Sequence, residues 1–329
     1  MRARLGRWLG GGAVGLALAT AASAEQLQQE EARAWLHRIA ASARQLNYEG
    51  TFVYQHGDSV ETSRIVHMVD GTSEHEKLAT LDGPQREVIR NNDELQSYFP
   101  EIKTVRTERR GLGRSFPALL PDQLSAITEY YTVRKAEVER IAGFDAQILV
   151  LEPKDGLRYG HKFWAEISTG LLLKARMFGE RNQVVEQFAF TQLRIGGKLS
   201  PEDVKPSFQA DGEKWKWERF ATNDARAGDS EWVIKTPTPG FRKVLEMRRS
   251  KYGGGPQLLT HMVLTDGLAA VSVFIEPGPA RQKVNEGLVQ HGAMNIYTRM
   301  VGEQRVTVLG EIPAITVVQI ANSIAPRGK

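Results

Sequence analysis

The sequence predicts a mainly β (α+β) chain: a large curved antiparallel sheet comes first, and a smaller α+β unit follows. Three observations carry this. From Thr51 to Ile195, short runs rich in Val, Ile, Tyr and Phe follow one another, with turn residues roughly every eight to twelve positions. A stretch rich in Gly, Pro and Asp, 196–231, then interrupts them. A second set of runs fills 232–309, and an apolar segment, 313–324, ends the pattern with proline at its first turn.

The elements follow in order. Arg2, Arg4 and Arg7, a short apolar run from Trp8 to Thr20, and Ala22-Ser23-Ala24 have the layout of a secretory signal peptide. The expectation is export, with cleavage after Ala24 leaving a mature chain from Glu25. The formal charge is +4, and removing three arginines leaves about +1, so the pI of 9.2 argues for no nucleic-acid partner. The 329 residues contain no cysteine, which excludes thiol catalysis and cysteine metal sites.

Residues 26–47 read as a helix, with Trp35, Ile39 and Ala43 on one face beside Leu36 and Leu46. The meander 51–100 follows, with strands at 51–56, 61–69, 76–81, 85–91 and 95–99 around the Asp70-Gly71 and Asp82-Gly83 turns. Residues 103–117 carry Lys103, Arg106, Arg109, Arg110 and Arg114 against one acid, Glu108, and read as a basic loop. A short amphipathic helix is expected over 117–127. Strands resume at 129–134, 136–141, 146–151, 159–167, 171–178 and 184–195. About eleven strands favour a large curved sheet or open barrel, with the two helices covering its concave face. Within 196–231 the segment KWKWERF (214–220) is too aromatic for a free linker, so it is expected to pack against a domain. The second unit has strands at 241–249, 257–265, 269–275, 293–301 and 304–309. The domain reading is therefore 1–24 signal peptide, 25–195 sheet domain, 196–231 linker and 232–329 small domain.

Catalytic constellations are missing from the sequence: there is no G-x-S-x-G, no phosphate-binding glycine loop and no H-E-x-x-H. His56, His67 and His75 invite a metal reading, but half-buried strand positions explain them more simply, and no metal or other cofactor is expected. Glu137 and Glu139 read as a solvated face. Two readings fit the basic loop: contact with phosphates or an acidic partner, or a solvated loop. The strand aromatics likewise serve either a core or the wall of an apolar cavity.

Several stretches match one family together: YEGTFVYQHG (48–57), SRIVHMVDG (63–71), EHEKLATLDGPQREVIR (74–90), SYFP (97–100), PGFR (239–242), HMVLTDGLAAVSVFIEPG (261–278), GAMNIYTRMVG (292–302) and VTVLGEIPAITVVQIANSI (306–324). On these the chain resembles the RseB/MucB family, periplasmic regulators of the sigma-E envelope stress response. The resemblance implies a protein that is not an enzyme, and a first domain like the LolA-like half-barrel of lipoprotein carriers, with an apolar cavity under its helices. It also implies a small domain that binds the periplasmic segment of a transmembrane anti-sigma factor (RseA/MucA-like). That segment would be shielded from site-one proteolysis until lipopolysaccharide or another lipid displaces the regulator. On this reading the cavity candidates are Phe52, Tyr54, Tyr98, Phe99, Tyr131, Trp164 and Phe188. The anionic head-group candidates are Arg106, Arg109, Arg110 and Arg114, and the partner-binding candidates are Phe241, Arg242, His261 and Phe274. A homodimer is left open. The rival reading is a periplasmic lipid or lipoprotein carrier built on the same half-barrel.

Overall fold

The computed structural model describes residues 13–109, 115–121, 124–210, 214–219, 223–224, 231–250, 258–278 and 285–328. Helix α1 (Ala13–Gln45) leads into β1 (Tyr48–His56). Tight turns then join β2 (Ser59–Asp70), β3 (Ser73–Thr80), β4 (Glu87–Asn91), β5 (Glu94–Phe99) and β6 (Thr104–Arg109). A short helix, α2 (Ser125–Tyr130), precedes a second meander: β7 (Tyr131–Ile141), β8 (Phe144–Pro153), β9 (Gly160–Glu166), β10 (Leu172–Phe178) and β11 (Val184–Ile195). β11 returns to pair antiparallel with β1, so the two meanders fuse into one sheet. With β12 (Lys216–Arg219) it has twelve strands, in the order β12-β6-β5-β4-β3-β2-β1-β11-β10-β9-β8-β7. The sheet is open, since β12 and β7 are its edges. It is also strongly curved: β7 touches β11, whereas a flat sheet would hold strands four places apart at about 19 Å.

The inner face carries the larger core. Ala32, Leu36, Ile39 and Ala43 of α1 recur at helical spacing and are all buried on it. Burying Leu36 and Ile39 contributes about 1.5–3 kcal/mol each. The helix is fixed at its far end by polar contacts, in which Arg38 and Ser42 donate to the Ser168 and Thr169 carbonyls of the β9–β10 turn. The chain must pass from β6, near one edge of the sheet, to β7 at the other, and it does so over this same face. Phe116, Leu120, Leu124 and Ile127 are buried there. This crossing differs from the helix expected over 117–127. Pro117 and Pro121 lack amide donors, so helix begins only at Ser125.

Two further expectations are corrected. The basic segment is not a loop from its start: Thr104–Arg109 alternates as a strand, and β6 pairs with both β5 and β12. Its Val105 is fully buried. Arg110 and Arg114 lie outside the described residues. The expected strands 129–134 and 136–141 are one strand, β7, with an irregularity between Lys135 and Val138.

The Gly/Pro-rich linker is a strap laid on the outer face. Leu199 and Val204 pack on Val66 and Met68, while Phe208, Ala210 and Trp215 pack on Ile89, Tyr98 and Val105. Polar contacts tie it down. Lys77 Nζ donates to the Lys205 carbonyl at 2.9 Å, and Ser207 N donates to Glu87 Oε2 at 2.7 Å. The aromatic segment at 214–219 therefore packs on the first domain as its composition suggests, with Phe220 outside the described residues.

Next come β13 (Asn223–Asp224), β14 (Trp232–Ile234), β15 (Arg242–Ser250), β16 (Leu258–Thr265), β17 (Ala270–Pro277), β18 (Gly287–His291), β19 (Met294–Val301), β20 (Gln304–Gly310), α3 (Ala314–Ser323) and β21 (Ile324–Pro326). Seven strands form the second sheet, in the order β13-β15-β16-β17-β20-β19-β18. Val271, Val273, Ile275, Val306 and Val308 alternate onto one face and bury against Val317, Ile320 and Ala321 of α3. β14 and β21 form a two-stranded ribbon. Among the described residues no helix is long and apolar enough to cross a membrane.

Candidate functional site

The two sheets meet along a seam, and one arginine pins it. Arg158 lies between β8 and β9, with its guanidinium fully buried. It donates to Asp155 through Nε and Nη2 at 3.0 Å, to Asp266 Oδ2 through Nη1 at 3.0 Å, and to the Pro239 carbonyl at 2.7 Å. Its plane rests 4.5 Å from the Tyr130 ring centre and 5.4 Å from that of Phe241. A planar cation with five fixed donors suits such a site, where a flexible ammonium would not. Gly240 lets the second domain come this close: its φ is +82°, and a Cβ there would lie 2.8 Å from Arg158 Nη1. Asp266 serves both sides, because its Oδ1 also accepts the amides of Leu268 and Ala269. Burial and the Asp266 charge push the Tyr131 hydroxyl well above the phenol range. Two more bonds close the seam: Thr316 Oγ1 donates to the Leu157 carbonyl at 2.8 Å, and Asn295 Nδ2 to Tyr159 Oη at 3.2 Å.

Beside this pin lies a cavity of about 330 Å³. The first sheet supplies His161, Phe163, Ala175, Met177, Glu186 and Phe188, and the crossing segment supplies Leu119. The second sheet supplies Thr265, Leu268, Ser272, Met294, Leu309 and Glu311. Aromatic rings form its backing. Phe116 stacks on Phe188 at 5.5 Å and lies 5.2 Å from Phe52, and Tyr54 stacks on Phe188 at 4.4 Å.

Polar and charged groups interrupt the apolar wall, Arg176, Glu186 and Glu311 among them. Burial pushes the Glu186 carboxyl up to about 8, helped by the charge of Glu311. Tyr54 Oη donates to Glu186 Oε2 at 3.0 Å. Desolvation on its cavity side also raises Glu311, although the residue as a whole is exposed, and positive charge on His56 opposes that rise. Burial lowers His161 to about 4, so the ring is neutral at neutral pH.

The predicted site residues divide between the two faces. Phe52, Tyr54 and Phe188 share the inner face, and Phe188 reaches the cavity. Tyr131 is also inward, but it is buried in the seam, 3.4 Å from Asp266. Tyr98 lies on the outer face beneath the strap. Trp164 is on the outer side too, under Lys174 at 4.6 Å and Lys162 at 4.9 Å, and its indole N–H donates to Glu139. Phe99 packs under Arg106 at 4.9 Å and is not a cavity residue. Arg106 Nε is bonded to Glu218 of the strap at 2.9 Å. Arg109 ends β6, and its side chain lies outside the described residues, as do Arg110 and Arg114. Phe241 is buried against Arg158, while Arg242 is exposed. His261 stacks on Phe274 at 4.3 Å and meets Ser272 at 3.1 Å, on the sheet face away from α3. His67 and His75 sit on opposite faces, since His75 pairs with Met68 in register, so they cannot share a metal ion.

Glu186, Glu311, His161 and Phe116 were not singled out from the sequence. Alternation along 184–195 already puts Glu186 on the face of Phe188 and Phe190. Nothing local marks Glu311, which reaches the cavity only through the packing of the two domains.

Comparison with known proteins agrees with this arrangement. Residues 31–208 match the MucB/RseB N-terminal domain, and residues 226–325 match the MucB/RseB C-terminal domain. The chain is 32% identical to the sigma factor AlgU regulatory protein MucB of Pseudomonas aeruginosa, covering 91% of this chain and 92% of that protein. It is 22% identical to the sigma-E factor regulatory protein RseB of Escherichia coli K12, covering 88% and 89%. The solved Pseudomonas aeruginosa MucA/MucB complex contains a chain that superposes with a TM-score of 0.71 at 28% identity, covering 91% of this chain and all of that one. Two family domains in the order and extent of the two sheets, and a relative of regulatory function matched nearly end to end, place the chain in the MucB/RseB family.

Proposed function

We propose that the protein is an exported regulator of an envelope stress response. It binds the periplasmic segment of a transmembrane anti-sigma factor and shields that segment from site-one proteolysis. A lipid, lipopolysaccharide among the candidates, enters the cavity and displaces it. One observation carries the partner assignment: the related MucB was solved in complex with MucA. The cavity's position supports the linkage. Its walls come from both domains, so a ligand that changes their spacing changes any partner site spanning them. Such a ligand releases the partner only through a difference in affinity between the two arrangements.

Within this reading the leader is removed after Ala24, and the second domain carries most of the partner contact through Phe241, Arg242, His261 and Phe274. Arg109, Arg110 and Arg114 meet anionic head groups, and Arg106 joins them only if it leaves Glu218.

The test is a pull-down from envelope extracts with and without added lipopolysaccharide. Recovery of a single-pass anti-sigma protein, lost on addition of the lipid, is the expected result. Recovery of released lipoproteins instead would favour the carrier reading and overturn this one. Protease digestion of the purified anti-sigma segment, with and without the protein, tests the shielding directly.

A further inference from the structure

We propose that the edge of β18 in the second sheet holds the partner by strand addition. An extended, uncharged and apolar stretch of the anti-sigma factor's periplasmic segment pairs there, backbone to backbone, with Leu288 and Gln290. The inference rests on the partner reading given above and adds where and how that segment is held.

The edges of the two large sheets differ. β7 carries Arg134, Lys135, Glu137 and Glu139, and its register breaks between Lys135 and Val138. β12 is charged at Lys216, Glu218 and Arg219. β13 has only two residues. Charge, irregularity and very short length all keep a sheet edge from taking another strand. β18 lacks these devices. Its five residues, Gly287 to His291, include no Lys, Arg, Asp, Glu or Pro, and they pair with β19 without a register shift. Leu288 and Val289 are 47% and 62% exposed on it. The acid nearest in sequence, Glu286, stands outside the strand.

The hairpin turn fixes which backbone groups are free. His291 and Met294 close β18 and β19 around Gly292-Ala293, and Gly292 has a φ of +58°. A two-residue turn makes its closing pair a hydrogen-bonded one, and the pairs beyond it alternate. Gly287, Val289 and His291 therefore bond to β19, whereas the N–H and C=O groups of Leu288 and Gln290 point out from the sheet. Among the described residues no other backbone group bonds to them. The side chains set the composition of the occupant. Val289 shares a row with Ile296, Leu309 and Ser272, and the last two line the cavity. Leu288 shares a row with Tyr297, Val308 and Val273, on the face that α3 covers. A strand added here meets apolar side chains on both faces, so it needs successive apolar residues rather than an alternating pattern. A second copy of the chain fits less well. Pairing β18 with β18 joins five residues of each copy, a small part of the roughly 1,200 Å² that a stable interface buries. An extended segment is not limited in this way. Continuing past His291 it passes Gly292, where a Cβ would lie 2.6 Å from His56 Nδ1 of the first domain, and so reaches the seam.

The probe is the purified periplasmic segment of the anti-sigma factor, titrated into the full chain. Gln290→Pro removes an N–H that β19 does not use, and an edge strand tolerates proline at such a position. The variant should keep the parent's far-UV circular dichroism and bind the segment at least about tenfold more weakly, since a backbone bond is lost and the ring stands in the way. Gln290→Ala keeps the N–H and should bind within about twofold of the parent. Hydrogen exchange on the parent chain gives a second readout that needs no variant. The Leu288 and Gln290 amides should exchange freely alone and at least about tenfold more slowly with the segment bound. Equal binding by Gln290→Pro, or a bound segment that leaves both amides exchanging freely, would overturn strand addition and leave the partner reading intact. A segment that fails to bind the parent chain would overturn that reading and this inference with it. Protection of the same amides without the segment, together with a dimer in sedimentation, would assign the edge to a second copy and overturn the proposal.

Discussion

Replacing Asp266 probes how strongly the two domains are joined. Its side chain and that of Arg158 are both fully buried, 3.0 Å apart. Asp266→Asn keeps the shape and the acceptor for the Leu268 and Ala269 amides, but removes the charge. Breaking a buried pair by deleting one partner costs about 3–5 kcal/mol, because the other charge remains out of water. Asp155 stays bonded to Arg158, so the lower end, about 3 kcal/mol, is expected. Asp266→Ala also strips two turn amides of their acceptor and adds about 1 kcal/mol. A third variant, Arg158→Met with Asp266→Leu, removes both charges and should recover much of the loss. Urea denaturation followed by tryptophan fluorescence measures all three, with Trp232 reporting on the second domain. An Asp266→Asn midpoint indistinguishable from the parent would refute the reasoning. So would a double variant less stable than Asp266→Ala.

Three further outcomes are expected. Phe116→Ala removes a ring packed on Phe52, Phe188 and Phe190, and should lower stability by about 3–5 kcal/mol in thermal denaturation. In titrations with a fluorescent acyl probe, Phe188→Ala should weaken binding at least tenfold, whereas Tyr98→Phe and Trp164→Phe, altered on the outer face, should leave it unchanged; equal effects at all three would show that the probe binds elsewhere. Replacing Arg109, Arg110 and Arg114 with glutamine should flatten the salt dependence of lipid A binding, and unchanged affinity and salt dependence would remove these residues from the head-group role.

The sequence carried the meander and the second unit because their strands alternate and their turns are marked by Asp-Gly pairs. It carried α1 because Leu36, Ile39 and Ala43 keep helical spacing. β6 was hidden by its charge: five of its six residues are polar or ionic, so composition spoke for loop while pairing from both sides made it a strand. Tyr98 and Trp164 illustrate a different limit. Strand alternation says that neighbours face opposite ways, but not which face is inner. The strap over Tyr98 and the cations around Trp164 settle that only in three dimensions. The cavity was equally beyond reach, since half its wall arrives from the second domain, at 265–311.

The strap also restricts how the domains move. β12 is the edge of the first sheet and β13 the edge of the second, with only residues 220–222 between them. A chain from Arg219 to Asn223 reaches about 14 Å at most. The domains therefore cannot drift apart; they can only swing about that short leash. Reclosing is then an intramolecular event at an effective concentration of order millimolar, so a modest set of contacts suffices to re-form the seam. Two domains tied this way can part along the seam and re-form it without the second ever being lost.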